Sequence, residues 1–218
     1  MLGLFIPAFL FATPAMAEKY ELAVTNGVQT VRDPRWEKVG AAAAHSATGL
    51  TMGYSVSKTT SILVGFQTGR TGSRLLIPTA DGFEDEDFGF NIATTLNHYQ
   101  LGARYRWNWK PRWVPTTTVA LQLGHAILRM DENVDVEGGE VTNRYSATAV
   151  GFEFGGGLEY TAAYLNKGNV RINLGLETGF TKLFDLRFKN EDSGPQPIPL
   201  GEMDLSGLFF KFSLGTRF

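Results

Sequence analysis

The chain has 218 residues, no cysteine and a formal net charge of −2 at pH 7. The lack of cysteine excludes a disulfide framework and a thiolate metal site. The near-neutral charge is accompanied by no basic stripe and no known nucleic-acid motif, so the sequence gives no indication of nucleic-acid binding.

The first 17 residues form an apolar segment without a charged side chain. The segment ends in Ala15-Met16-Ala17, which fits the small-x-small pattern of a signal-peptide cleavage site. We therefore expect a signal peptide over residues 1–17 and a mature protein over residues 18–218. Lysine and arginine are missing from its start, so either the signal is weak or the true start lies upstream. A short membrane anchor and an amphipathic first helix are the alternatives. Pro7 and Pro14 argue against a transmembrane helix.

Eight later segments alternate between apolar residues and polar or small ones, which is the period of a β-strand. In chain order we predict strands at residues 20–28, 42–57, 61–73, 90–107, 116–130, 145–164, 170–188 and 204–218. The alternation predicts that Leu186 and Phe188 lie on the apolar face of the seventh strand. The last strand shows the alternation well, because one face is almost wholly apolar. The apolar positions of that face are Leu208, Phe210, Phe212, Leu214 and Phe218.

The connections between the predicted strands alternate in length. The first, third, fifth and seventh are long and often acidic, whereas the second, fourth and sixth are shorter and carry lysine or arginine. Long loops on one side and short turns on the other are typical of outer-membrane barrels. We therefore predict an all-β fold, an eight-stranded antiparallel up-and-down transmembrane β-barrel, with both termini on the periplasmic side. A soluble lipocalin-like barrel is the alternative, but it gives no reason for the C-terminal aromatics.

If the apolar faces meet lipid, the opposite faces fill the barrel. Eight charged residues belong to this inward set: Arg104, Arg106, Glu153, Glu159, Arg171, Glu177, Lys211 and Arg217. An unpaired charge in a confined interior is costly, so we expect these residues to pair with one another. A barrel of eight strands leaves a bore just wide enough for side chains. We expect a largely plugged polar lumen, with a narrow ion path or a polar binding site as the alternatives.

Aromatic residues gather at the short-turn end of the predicted barrel. They are Trp107, Trp109, Trp113, Tyr164 and Phe218. Amphipathic rings favour the interface between membrane and water, so we expect these residues to contact outer-membrane lipids there.

The sequence contains no recognisable catalytic or metal-binding motif. The acidic run 84–87 offers oxygen ligands for Mg²⁺ or Ca²⁺, but it lacks the spacing of an EF-hand loop. The histidines are His45, His98 and His125, and none is accompanied by a GxSxG elbow or by a second histidine on the same element. We therefore predict no metal, no cofactor and no catalytic residue, with a lipid-acting enzyme as a minor alternative.

With these features the chain resembles the small eight-stranded outer-membrane proteins of Gram-negative bacteria, the group of the OmpA barrel, OmpX and OmpW. The resemblance covers residues 20–218 and is carried by the architecture and the C-terminal strand. It implies that the barrel-assembly machinery reads the apolar positions listed above for the last strand, where Thr216 is a polar departure from the pattern. No peptidoglycan-binding domain follows the barrel, which argues against an anchor like full-length OmpA.

Members of this group include structural proteins, adhesins, carriers of small hydrophobic molecules and a few lipid A-modifying enzymes. The HxS-type motif of the lipid A deacylases is not present here as such. We therefore expect a non-enzymatic structural or surface-interaction protein whose long loops contact an envelope or surface partner. The alternative is a narrow, porin-like channel or a carrier of small hydrophobic molecules.

Overall fold

The computed structural model describes residues 19–33, 36, 44–77, 88–107, 112–133, 142–165, 170–191 and 201–218. Within these residues, eight long antiparallel strands close into a barrel, because the first strand pairs with the last. They are β1 (Tyr20–Thr30), β2 (Ala44–Ser55), β3 (Thr60–Ile77), β4 (Phe88–Arg106), β5 (Trp113–Asn133), β6 (Thr142–Leu165), β7 (Val170–Leu183) and β11 (Gly207–Arg217). The predicted eight-stranded barrel is confirmed.

The strands β3 to β6 are longer than a membrane crossing requires. They contain 18, 19, 21 and 24 residues, whereas a tilted transmembrane strand needs about 9–11. The strand bounds also confirm that the connections alternate in length: those at 56–59, 107–112 and 166–169 are short, and those at 31–43, 78–87, 134–141 and 184–206 are longer. Parts of the long strands therefore stand outside the bilayer.

The two faces of the wall have the predicted character. Outward apolar side chains are exposed, for example Leu121 at 68% and Val150 at 62%, while the inward Glu153 is 3% exposed. A water-soluble barrel would bury the first two and expose the third. The apolar outer wall is what a lipid solvent requires.

The seventh strand differs from the prediction at its end. β7 stops at Leu183, and three two-residue strands follow: β8 (Leu186–Arg187), β9 (Lys189–Asn190) and β10 (Glu202–Met203). β8 pairs with β10, and β9 adds to the edge of β6. The prediction that Leu186 and Phe188 face lipid is wrong, because the chain turns at 184–185 and carries Leu186 into a buried apolar cluster, against which Phe188 packs.

Three predictions fall outside the described residues: the signal peptide over 1–17, the acidic run 84–87 and the position of Trp109. In the part of the chain that the structure describes, no helix is long and apolar enough to span a membrane.

Candidate functional site

The barrel lumen holds a hydrogen-bonded network centred on Glu153 of β6. Its Oε1 accepts a hydrogen bond from Lys211 Nζ at 2.6 Å. Its Oε2 accepts from Gln122 Nε2 at 2.6 Å, from Gln100 Nε2 at 3.1 Å and from Thr181 Oγ1 at 3.3 Å. The five side chains come from β4, β5, β6, β7 and β11, so this carboxylate ties together more than half of the barrel wall.

Two arginines of β4 form a second layer nearer the short-turn end. Arg106 pairs with Glu159 at 3.2 Å and with Glu21, and it donates to Ser61 Oγ at 2.7 Å. Arg104 pairs with Glu177 at 3.3 Å. All these groups are largely buried, so each cation has a carboxylate to offset the loss of its hydration.

The remaining two cations of the predicted set lie at the short-turn end of the lumen. Arg217 donates from Nη2 to Ser55 Oγ at 3.5 Å, and the Arg171 guanidinium lies 5.5 Å from the centre of the Tyr164 ring. The structure therefore joins six residues of the predicted set in ion pairs, namely Arg104, Arg106, Glu153, Glu159, Glu177 and Lys211. Arg171 and Arg217 lie beside them, toward the short-turn end.

Glu21 is an anion of this network that the sequence reasoning missed. It belongs to β1 and pairs with Arg106. The signal was present, because Tyr20, Leu22 and Val24 alternate as an apolar face and Glu21 stands between them. With Glu21 included, four carboxylates oppose five cations, which leaves the lumen closer to neutrality than predicted.

Small cavities surround the Arg104 side chain. Three of them have volumes of about 30, 20 and 30 Å³, and Arg104 lines each one. A water molecule needs about 10–15 Å³ of such space. Glu21 Oε1 and Glu177 Oε1 are buried without a protein hydrogen-bond partner and belong to residues that line these cavities. We infer that the cavities suit one or two waters each.

Aromatic side chains surround the short-turn end on the outside. Trp107 and Trp113 are about half exposed, and so is Tyr164. The ring of Trp107 packs edge-on against Tyr105 at 5.0 Å, and Trp113 lies 4.5 Å from Tyr160. Phe218 lies 6.2 Å from Tyr20. The rings of Trp107, Trp113 and Phe218 face outward at one end of the apolar wall, where an interfacial girdle would stand. Tyr164 follows a bulge between Thr161 and Ala163 and is the cross-strand partner of Arg171, so its ring lies at the mouth of the lumen.

Comparison with known proteins identifies the family. The family model for the outer membrane protein beta-barrel domain matches residues 3–218. This chain belongs to the outer-membrane β-barrel family. The bacterial outer membrane is therefore its location, and the apolar outer wall is its lipid-facing surface.

Solved structures show the same fold at low sequence identity. OprG from Pseudomonas aeruginosa is 11% identical, with 93% of this chain and 97% of that chain covered and a TM-score of 0.53. Neisserial surface protein A is 13% identical, with coverage of 92% and 97% and a TM-score of 0.48. The Yersinia pestis attachment invasion locus protein Ail is 13% identical, with coverage of 92% and 97% and a TM-score of 0.47. A search of curated protein sequences gave no match.

The loop end of this outer-membrane barrel is filled differently from its short-turn end. A buried apolar cluster, which we call the loop-end cluster, occupies that end. Its members are Val31, Trp36, Leu96, Ala126, Ala147, Ala149, Leu183, Leu186, Met203 and Leu205. Trp36 comes from the first long connection and is 1% exposed, while Leu186, Met203 and Leu205 come from the last. Side chains from two loops therefore enter the barrel.

Polar contacts fasten these two connections to each other. Asp33 Oδ2 accepts a hydrogen bond from the Asp204 backbone N–H at 2.8 Å, and the Ser206 carbonyl accepts from the Arg32 N–H at 3.1 Å. Lys182 Nζ pairs with Asp204 Oδ2 at 2.7 Å. Partial burial acts to raise the pKa of Asp204, but hydrogen bonds from Lys182 and Ser206 outweigh it and lower that pKa below its ordinary value. Asp204 is thus ionised at neutral pH, and its carboxylate ties the last connection to Lys182 of β7.

The histidines of this barrel do not assemble a catalytic site among the described residues. His45 and His98 point into the lumen and are buried. His125 points outward, and its Nδ1 lies 3.0 Å from Thr148 Oγ1. In the described strands no histidine ring is hydrogen-bonded to a serine hydroxyl or to a carboxylate, which a nucleophilic triad requires. The same residues contain no group of three or more histidine, aspartate or glutamate side chains placed to hold a metal ion.

Proposed function

We propose that this protein is a closed, non-enzymatic outer-membrane barrel that acts as a structural or surface-interaction protein. The observation that carries the proposal is the pairing of the inward charges across the bore: Arg104 with Glu177, Arg106 with Glu21 and Glu159, and Lys211 with Glu153. Paired charges with hydrogen-bonded neighbours resist separation, so they favour a filled lumen over an ion path.

The loop-end cluster supports the same proposal. An ion that entered from the short-turn end would meet Leu96, Ala126 and Leu183 beyond the charged layers. Moving an ion from water into such surroundings is strongly unfavourable. Because a closed lumen offers no path for a ligand, we assign contact with an envelope or surface partner to the long connections outside the lumen.

The test is single-channel recording on refolded residues 18–218 in a planar bilayer, after a heat-shift gel has shown a folded barrel. We expect no discrete openings. Steady openings would contradict the closed lumen, and ion selectivity that reverses in Arg104→Glu would then place the path beside Arg104.

A narrow channel is the second candidate, and one observation favours it. The three water-sized cavities lie in the short-turn half of the lumen, where Arg104 lines all three and Glu159 lines two. Water molecules in these cavities would lower the cost of admitting an ion beside the charged side chains. Under this candidate, Glu177→Gln would change the reversal potential under a salt gradient, whereas the exposed control Glu202→Gln would not.

We further propose that the short-turn end, with Tyr20 and Phe218, faces the periplasm and that the assembly machinery engages β11. The chain lacks cysteine, so single cysteines report orientation without background labelling. Lys58→Cys in the second connection should resist a membrane-impermeant maleimide in intact cells and react after the outer membrane is permeabilised. Labelling in intact cells would reverse the orientation.

A further inference from the structure

The outer wall carries a continuous row of polar side chains across six strands. The members of this row, which we call the outer polar row, are Asn26, Thr48, Thr68, Asn97, His125 and Thr148. Each is the direct cross-strand partner of the next. Neighbours along it are hydrogen-bonded in pairs: Asn26 to Thr48 at 3.0 Å, Thr68 to Asn97 at 2.8 Å and His125 to Thr148 at 3.0 Å.

The outer polar row does not run level around the barrel. Direct partners lie perpendicular to the strands, and barrel strands are inclined by about 35–45°. With strands about 4.8 Å apart, the row climbs by about 3 Å at each strand. The numbering agrees, because Asn26 lies six residues from the short-turn end of β1 at Tyr20, whereas Thr148 lies 17 residues from the end of β6 at Leu165.

The consequence is an apolar wall of unequal height. On β3 the exposed apolar residues between the short turn and the row are Ile62, Val64 and Phe66. On β1 they are Tyr20 and Val24, with Leu22 half-buried between them. At about 3.3 Å per residue and the usual inclination, each of these stretches covers about 10 Å of membrane thickness.

The opposite wall is much taller. On β11 the exposed apolar residues run from Leu208 to Leu214, with Phe218 beyond Thr216. That stretch covers about 25 Å, which is the height of the apolar band in outer-membrane barrels. On β6 the exposed apolar residues run from Val150 to Leu165 and cover more. One side of the barrel therefore matches a bilayer, whereas the apolar stretches below the row on β1 and β3 fall short of that height by more than half.

We propose that the wall formed by β1, β2 and β3 thins the bilayer beside it, so that lipid headgroups and water descend to Asn26, Thr48 and Thr68. Beyond the row, toward the loop end, the outer face of these strands continues with Thr30, Ser46 and Arg70. Between the row and these three residues, Val28 is the one apolar side chain on the outer face of the described strands. Such side chains are suited to headgroups and unsuited to acyl chains. A bilayer that meets a short apolar stretch responds by thinning.

A second copy of the chain is a poorer occupant of this wall. Close packing in lipid uses small residues that let backbones approach. The outward residues below the row are large, including Met52, Tyr54 and Phe66. Asn26 and Thr68 also already bond to neighbours within the wall. The lipid surface is therefore the partner that these residues fit.

Site-directed spin labels on the cysteine-free chain test the proposal directly. Thr68 and Leu121 both point outward and both lie eight residues from the short-turn end of their strand, at Thr60 and Trp113. In bilayers of ordinary thickness we expect a label at Thr68→Cys to be reached by a water-soluble nickel complex and one at Leu121→Cys to be reached only by oxygen. Equal protection of both labels from nickel would overturn the proposal.

Apolar substitution of the row provides a second test. The variant Thr48→Val/Thr68→Val lengthens the apolar wall with little change in side-chain shape, and Thr148→Val on the tall side is the matched control. We expect the first variant to move the lipid chain length of maximal stability toward longer phosphatidylcholines and the control to leave it unchanged. If the lipid chain length of maximal stability is unchanged in the first variant, the proposal that this wall thins the bilayer is wrong. If the wild-type protein sediments as a dimer and the double variant as a monomer, the wall is instead an interface with a second copy of the chain.

Discussion

At the scale of single residues, Glu153 has the most partners in the described lumen. It accepts four hydrogen bonds from side chains on four other strands, one of them from the ammonium of Lys211. Charge-assisted hydrogen bonds in buried surroundings are strong when every partner is present. The loss of the carboxylate leaves a buried ammonium without its counter-ion, which is the costly case for a buried ion pair.

We therefore predict that Glu153→Ala lowers the free energy of unfolding by about 3–5 kcal/mol. The double variant Glu153→Gln/Lys211→Met should recover part of this loss, because no charge then remains unpaired. Urea unfolding of the folded barrel in lipid bilayers, followed by tryptophan fluorescence, measures both. The exposed pair between Arg187 and Glu202 is the control, and Glu202→Gln should cost less than about 1 kcal/mol. Equal losses from Glu153→Ala and Glu202→Gln would contradict this role of Glu153.

Asp204 gives the loop end a dependence on pH. Its pKa is lowered in the folded protein, so its stabilising effect is complete above the unfolded value near 3.9 and is lost as pH falls through the folded value. We predict that wild type and Asp204→Asn differ in unfolding free energy by a constant amount at neutral pH and that the difference shrinks in acid below pH 4. A difference that grew as pH fell would show that Asp204 is destabilised by the fold.

Alternation in the sequence predicted which residues face outward and which face the lumen, but it did not predict that one end of the lumen is apolar. It placed Glu153, Arg104 and Lys211 inside because polar residues stood opposite apolar ones. At the loop end this contrast disappears, since Ile127 faces outward and Leu128 is fully buried inward. An apolar residue on both faces has no periodic signature, so the loop-end cluster was not predicted.

At the scale of elements, the pairing of β1 with β11 closes the barrel. Thr30 secures the loop end of this pair, because its Oγ1 accepts from the Leu208 N–H at 3.0 Å. Gly207 stands beside it, and a Cβ at Gly207 would overlap the Thr30 carbonyl oxygen. Only a residue without a side chain lets the two strands approach here.

Gly207→Ala should therefore weaken the seam between β1 and β11. We expect a loss of about 1–3 kcal/mol from overpacking and faster amide exchange at Thr30 and Leu208, measured by hydrogen–deuterium exchange. Gly156→Ala is the control, because Gly156 points outward and a Cβ there meets no atom closer than 4.0 Å. The control should be neutral or slightly stabilising. Unchanged exchange in Gly207→Ala would show that the strands adjust without opening.

The element that the sequence described least well is the end of β7. Its apolar alternation continues through Leu186 and Phe188, so periodicity alone extends the strand. The deciding factor is three-dimensional: Leu186 gains complete burial by turning into the barrel against Trp36 and Leu205. Those partners lie about 150 and 20 residues away in sequence, and no local pattern reveals them.

At the scale of the whole molecule, two chemically different groups of side chains lie one above the other in the barrel. The charged layers occupy the short-turn half, and the loop-end cluster occupies the other. The proposed closed state then has two independent barriers in series. Removal of either barrier leaves the other in place.

We predict that Glu153→Ala/Lys211→Ala and Trp36→Ala each give a folded barrel that remains silent in planar-bilayer recordings. The first variant keeps the apolar barrier and the second keeps the ion pairs. A heat-shift gel confirms folding, and Thr148→Val serves as the control for a change outside the lumen. Discrete openings in either variant would show that a single barrier closes the barrel.

The seam of the barrel also joins the two ends of the described chain. The Tyr20 N–H donates to the Phe218 carbonyl at 2.8 Å, and the Phe218 N–H donates to the Tyr20 carbonyl at 2.9 Å. A circular permutant with a short linker from Phe218 to Tyr20 and new ends in the exposed turn at 56–59 would keep every strand beside its present neighbours. Phe218 would then be internal while the ring of strands stayed the same. Such a chain tests whether folding of the barrel depends on an aromatic residue at the C-terminus.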